Sequence, residues 1–267
     1  MKKFLFLSAG FLIACWAVIS GPSPADAGKL DQIRQRGQLR VGLELGYYPF
    51  EYIDAQGRPT GFDVDLAEAL AGRLGVKAVL IDLAWKDLIP SLQAGKIDLI
   101  LSAMTVTPDR TKLVAFSKPY FQTGLSLLLS RQKAPDLTDS KQLNSPKRIL
   151  AVVADTGGAL AAKSYFPAAQ VRPLLREIDG VRVVVAGLAD ALILDQISIW
   201  KRHRDFADKT YALLEPFTTE NLAAACIKND QDLLNWLNQF LETFLTSGQY
   251  DQLLEKHFSG LGRAFKK

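Results

Sequence analysis

Between residues 38 and 258, short apolar runs alternate with longer stretches of helical period, and this alternation restricts the possible folds more than any other feature of the chain. The runs are residues 39–43, 78–81, 97–101, 149–153 and 191–194. Between them lie amphipathic patterns such as 64–74, closed by Gly75, and 88–94, closed by Gly95. Strand followed by helix, repeated, predicts an α/β fold built on mostly parallel sheets. In such sheets ligands sit beyond the carboxyl ends of the strands, so the residues just after each run are the candidates for function.

One segment sets side-chain propensity against pattern. Val181, Val183, Val184 and Val185 are β-branched and favour a strand, whereas the spacing across 178–186 with Gly187 behind it fits a helix with a glycine cap. The reading adopted is the helix.

The N-terminus has a different character. Lys2 and Lys3 precede a largely apolar run over 4–19, followed by Gly21, Pro22, Pro24 and the small-residue triplet Ala25, Asp26, Ala27. That order predicts a secretory signal peptide over residues 1–27 and a periplasmic product, because the run is shorter than the ~20 residues a spanning helix needs. Leu12, Ile13, Ala14 and Cys15 also resemble a lipoprotein processing box, which would leave Cys15 as a lipid-bearing terminus. Hydrophobicity continuing through Trp16 favours cleavage after Ala27. Removal of the leader leaves Cys226 alone, so no internal disulfide is available and core burial must hold the fold, as a chain of this length can. The formal charge of +4 is mild and its signs are interspersed, without a basic block carrying aromatics, which argues against a nucleic-acid partner.

The positions after the runs form a coherent chemical set. Glu44, Tyr47 and Phe50 follow the first, Trp85 precedes the next helix, and Ser102, Ala103, Met104, Thr105 and Arg110 follow the third. Thr156, Gly157, Gly158 and Asp195 follow the later two. A carboxylate requires a guanidinium with hydroxyl and backbone N–H donors, which Arg110, Ser102, Thr105 and the Thr156-Gly157-Gly158 turn can supply. An ammonium requires a carboxylate, Asp195 or Glu44, and the flat faces of Tyr47 and Trp85 can hold a side chain. Each residue also has a plainer explanation. Asp195 can cap a helix starting at Gln196, Trp85 can be core, Tyr47 can pack on Phe50 or Pro49, and Glu44 can be a surface acid. Asp63 and Asp65 are read as caps of the helix at 64, and His203 and His257 as solvent-facing. No Cys or His cluster has metal-ligand spacing, and neither a phosphate loop nor a nucleophile elbow occurs, so neither metal nor cofactor is expected.

These residues lie in segments that resemble the bacterial solute-binding proteins of ABC transporters, family 3, which are periplasmic amino-acid-binding proteins. The segments are LRVGLELGYYPFEY from Leu39, GFDVDLAEALAGRLGV from Gly61, WKDLIPSLQAGKIDLI from Trp85, SAMTVTPDRTKLVAFSKPY from Ser102, ADTGGA from Ala154 and ALILDQ from Ala191. They occur in family order and cover nearly all of 38–258. The resemblance implies a two-lobed, type II periplasmic-binding-protein-like fold. Residues 28–121 and 226–267 would form lobe 1, and residues 122–225 lobe 2 together with hinge segments near 121–125 and 222–226. It further implies capture of a free amino acid, polar or basic, by a monomer that delivers it to a membrane permease without catalysis. Arg110 is then the carboxylate-binding arginine with Ser102, Ala103 and Thr105 beside it. Asp195 is the ammonium acceptor, Thr156 and Gly157 are lobe 2 carboxylate contacts, and Tyr47 and Trp85 are the side-chain walls, with Glu44 a further ligand-binding candidate. Two positions depart from the family pattern: Asp155-Thr156-Gly157 replaces a turn with a second hydroxyl, and Ala103 stands where serine or glycine is common. Rival functions are a cyclohexadienyl dehydratase-like enzyme on the same fold, with Glu44 as its candidate general acid, and a ligand-sensing module for a separate partner.

Overall fold

A computed structural model describes residues 28–259. The predicted signal peptide and the Cys15 lipid question lie outside the described residues. The first stretch runs α1 (Lys29–Arg36), β1 (Gln38–Leu43), the hairpin β2 (Tyr52–Ile53) and β3 (Pro59–Thr60), α2 (Phe62–Leu74), β4 (Lys77–Asp82), α3 (Trp85–Gln93), β5 (Leu99–Ile100), α4 (Pro108–Leu113), β6 (Ala115–Phe116) and β7 (Phe121–Thr123). It continues with β8 (Leu125–Ser130), β9 (Ile149–Val153), α5 (Gly157–Tyr165), β10 (Gln170–Leu174), α6 (Glu177–Val185), β11 (Ala191–Asp195), α7 (Gln196–Asp205), β12 (Thr210–Leu213) and β13 (Glu220–Leu222). The last elements are β14 (Ala225–Cys226), α8 (Gln231–Phe244) and α9 (Gly248–Phe258).

Two five-stranded sheets result, ordered β4-β1-β5-β14-β6 and β10-β9-β11-β8-β12. In the first, β1 pairs in parallel with β4 and β5, while β14 is antiparallel to β5 and β6. In the second, β9 pairs in parallel with β10 and β11, while β8 and β12 form an antiparallel flank. Helices flank both sheets, so the molecule is a two-lobed α/β protein. The chain crosses between the lobes along β7 and β13, which pair antiparallel with Phe121 opposite Leu222 and Thr123 opposite Glu220.

Each lobe has its own core. Leu39, Val41, Leu66, Leu70 and Leu99 pack with Leu233, Leu237 and Leu241 of α8 in the first. In the second, Leu127, Leu150 and Ile193 meet Ala162 and Phe166 on one sheet face, and Val181, Val184 and Ile199 cover the other. The valine-rich stretch is helix α6, with Gly187 in the left-handed region at φ +68° just past its end. Burial of Val181 and Val184 against β9 and β11 outweighs the small helix penalty of β-branching.

Two expectations are corrected. Neither Asp63 nor Asp65 caps α2, whose N-cap is Gly61 at φ +132°. The Asp63 side chain turns into the interior, where its Oδ2 accepts from the Ala103 amide at 2.7 Å and from the Tyr120 hydroxyl at 2.7 Å. His257 is buried rather than solvent-facing, because α9 folds back on α2 and brings its Nε2 within 2.6 Å of Asp65 Oδ2. His203 is half-buried, its Nδ1 3.3 Å from Thr210 Oγ1.

Candidate functional site

The carboxyl ends of β1, β5, β9 and β11 converge on a cavity between the lobes, and all ten site residues expected from the sequence line it. On the first lobe, the turn after β5 is built around Ala103, whose φ of +44° is held by Asp63. Ser102 Oγ accepts from the Glu44 amide at 3.0 Å and donates to Glu51 Oε1 at 2.8 Å, tying the end of β1 to the end of β5. The Glu44 carboxylate accepts from the Trp85 amide at 3.2 Å and so caps α3, while still lining the cavity.

Arg110 reaches the cavity from α4, whose N-cap Thr107 and N1 residue Pro108 set its start. Its Nη1 donates to the Thr105 carbonyl at 2.8 Å and its Nη2 to the Asp155 carbonyl of the other lobe at 2.7 Å. The guanidinium lies 5.0 Å from the Trp85 ring centroid, a cation–π distance, and Trp85 Nε1 donates to the same Asp155 carbonyl at 3.0 Å. A guanidinium carries five N–H donors, so two bonds to carbonyls leave donors for a ligand carboxylate. Burial lowers its pKa to about 10, against the opposing pull of Glu220 and Asp155, so it stays cationic at neutral pH.

From the second lobe, Asp155 sits in the left-handed region at φ +59°, which directs its carbonyl at Arg110. The Thr156 hydroxyl turns back to donate to the Val153 carbonyl at 2.7 Å. The amides of Gly157 and Gly158 open α5, where first-turn N–H groups have no intrahelical acceptor. A Cβ on Gly158 would stand 3.0 Å from the Ile193 carbonyl oxygen, so glycine lets α5 approach β11 this closely. Asp195 ends β11 and serves two roles at once. Its Oδ1 caps α7 by accepting from the Ile197 and Ser198 amides at 2.9 and 3.0 Å, and its Oδ2 accepts from the Tyr47 hydroxyl across the cleft. Tyr47 in turn stacks on Phe50, ring centroids 6.0 Å apart.

Four polar residues in the lining were missed from the sequence: Glu51, Thr123, Glu177 and Glu220. Glu51 was findable, since it follows Phe50 in the same post-strand segment. Thr123 and Glu220 belong to the crossing strands, and Glu177 opens α6 after a strand, β10, whose Arg172 and Pro173 hid its apolar pattern. Among the described residues lining the cavity, Arg110 is the one cation, facing Glu44, Glu51, Glu177, Asp195 and Glu220. Burial raises the pKa of Glu44 and Asp195, and raises that of Glu51 well above its ordinary value with help from the Asp63 charge. Burial also raises Asp63 and Glu177 to about 7, the latter against the pull of Arg202.

Comparison with known proteins agrees with this architecture. The L-cystine-binding protein TcyJ of Escherichia coli K12 is 28% identical over 246 residues, 92% of this chain and 92% of its own. The crystal structure of the ancestral amino acid-binding protein AncCDT-1, a precursor of cyclohexadienyl dehydratase, is 40% identical, with a TM-score of 0.79 over 86% of this chain and 99% of its own. A binding component of an ABC transporter from Wolinella succinogenes, complexed with lysine, is 38% identical, with a TM-score of 0.79 over 84% of this chain and 96% of its own. The model of the bacterial extracellular solute-binding proteins, family 3, matches residues 39–260. With its two lobes, its crossing strands and this match over most of its length, the chain belongs to that family of bacterial extracellular solute-binding proteins.

Proposed function

We propose that this protein captures a free amino acid with a cationic side chain between its lobes and delivers it to an ABC-transporter permease outside the cytoplasm, acting as a monomer without catalysis. The observation that carries the reading is that Arg110 from the first lobe and Asp195 from the second line one cavity, complementary to the two charges of a zwitterion. In this reading Arg110, Ser102, Ala103, Thr105, Thr156 and Gly157 surround the α-carboxylate. Asp195 accepts the ammonium, displacing the Tyr47 hydroxyl or sharing with it. Tyr47, Trp85 and Glu44 enclose the side chain. The acid-rich lining favours a cation there, and the lysine held by the Wolinella relative is consistent with that preference.

The lobes would be residues 28–121 with 226–267, and 122–225, moving about the paired crossing strands. Ligand shifts an open–closed equilibrium only by binding the closed arrangement better, and a site shared by both lobes meets that condition. The predicted leader over 1–27 would export the chain. A thermal-shift screen against the twenty amino acids tests the reading: a binder at a hundred times its Kd adds about 2.7 kcal/mol of apparent stability. If no amino acid moves the melting temperature, the reading is wrong. A second reading, a dehydratase, draws on the AncCDT-1 relationship and on buried carboxyls that hold protons near neutrality. Aromatic product from prephenate or arogenate would establish it in place of transport.

A further inference from the structure

Helix α7 divides its apolar residues between two cores. Ile199 packs with Val181 and Val184 in the core of its own lobe, the second. Ile197, only 1% exposed, belongs instead to the apolar core of the first lobe, together with Phe50, Phe62 and Leu222. Trp200 is partly buried against that same core. Residues three apart share a helix face, so the face carrying Ile197 and Trp200 reaches across to the neighbouring lobe while Ile199 holds α7 on its own sheet.

Polar contacts follow the same crossing. The buried Ser198 donates from Oγ to the Tyr48 carbonyl of the first lobe at 3.3 Å, and Lys201 Nζ stands 5.6 Å from the centroid of the Tyr48 ring, a cation–π distance. The hydrogen bond is long, so the apolar contact carries most of the stabilisation. None of Tyr48, Ile197, Ser198, Trp200 and Lys201 lines the ligand cavity, whereas the bonds of Arg110 and Trp85 to Asp155 and of Tyr47 to Asp195 are made by residues that do. Parting the lobes returns Ile197 and the covered face of Trp200 to water, which is unfavourable whatever the cavity holds.

We infer that Ile197 and Trp200, with Ser198 and Lys201 on Tyr48, form an interlobe clasp outside the ligand cavity that sets the population of the closed arrangement and scales the affinity for every ligand by one factor. Ile197 is the anchor of the clasp and a positioning residue, since it acts by holding the Asp195 wall of the cavity against the Arg110 wall. The apparent Kd of a protein whose binding-competent form is fractionally populated is the intrinsic Kd divided by that fraction. Weakening the clasp therefore raises the Kd of a small amino acid and a large one alike and leaves their ratio unchanged. A residue that touches the ligand changes that ratio.

Small-angle scattering and titration calorimetry on the full protein test this, the calorimetry resting on the amino-acid reading above and using two binders of different side chain from the thermal-shift screen. Ile197→Ala should enlarge the scattering radius of the ligand-free protein relative to wild type, and saturating ligand should restore it. Both Kd values should rise by about tenfold or more, with their ratio constant within about twofold. Ile197→Val removes a single methyl group and should raise both by about two- to fivefold; it decides the matter if Ile197→Ala does not fold. A ligand-free radius equal to that of wild type overturns the clasp even where binding weakens, because a displaced Asp195 weakens binding without parting the lobes. A changed ratio of the two Kd values also overturns it, as does a lower melting temperature with radius and Kd unchanged, which assigns Ile197 to core packing alone. If no amino acid binds, the amino-acid reading falls, and the scattering comparison by itself still decides the clasp.

Discussion

Arg110→Ala is the substitution whose consequences the geometry defines most closely. The guanidinium makes a bond to the Thr105 carbonyl inside its own lobe, a bond to the Asp155 carbonyl of the other lobe and a stacked contact with Trp85. Truncation removes all three, together with the partner proposed for the ligand carboxylate. The carboxylate term is the larger: leaving one member of a buried charge pair alone costs about 2–5 kcal/mol, which corresponds to roughly 30- to 4000-fold in Kd. The Asp155 bond adds a second effect, because it exists only when the lobes are together. A hydrogen bond to a charged group contributes about 1.5–3 kcal/mol, so the closed state loses about that much relative to the open one even without ligand. The two losses share one side chain and do not simply add. Calorimetry with the best ligand from the thermal-shift screen measures the first, and the small-angle scattering radius of the free protein measures the second. A Kd within about threefold of wild type would refute the assignment of Arg110. An unchanged radius with weakened binding would show that the Asp155 bond does not bias closure.

Asp195→Asn should weaken binding strongly while leaving the melting temperature nearly unchanged, since asparagine caps helices about as well as aspartate. Asp195→Ala should lose binding and also about 0.5–2 kcal/mol of stability in urea unfolding, because the Ile197 and Ser198 amides lose their cap. Asp63, pushed up to about 7 mainly by burial, binds a proton in the folded protein over a pH range where the unfolded chain has released it. Its contribution is fully present below the unfolded carboxylate pKa of about 4 and is lost as pH rises through about 7, so the melting temperature should fall over that window less steeply in Asp63→Asn than in wild type. Equal slopes would mean that Asp63 is ionised in the folded protein. Gly61→Ala places a Cβ 2.2 Å from the Phe50 carbonyl oxygen at φ +132°, so it should cost more than about 2 kcal/mol in chemical denaturation. A cost near zero would show that the loop before α2 relaxes freely.

The α/β class, the helix over the valine-rich segment and ten of the residues that line the cavity were legible in the amino-acid sequence. Hydrophobic period and strand ends are local signals, and in a parallel sheet every carboxyl end points the same way, so post-strand residues such as Arg110, Thr156 and Asp195 gather by construction. Assembly decided the rest. Whether Asp63 faced water as a cap or the interior as a brace for Ala103 depended on Tyr120, 57 positions away in the chain. His257 looked solvent-facing until α9 docked on Asp65. Glu177 reads locally as an ordinary acid at a helix start. Only packing of α7 against α6, which assigns Arg202 to one of its oxygens, makes it a buried, ion-paired acid. Burial and partnership at long range are properties of the assembled volume, and no periodicity along the chain encodes them.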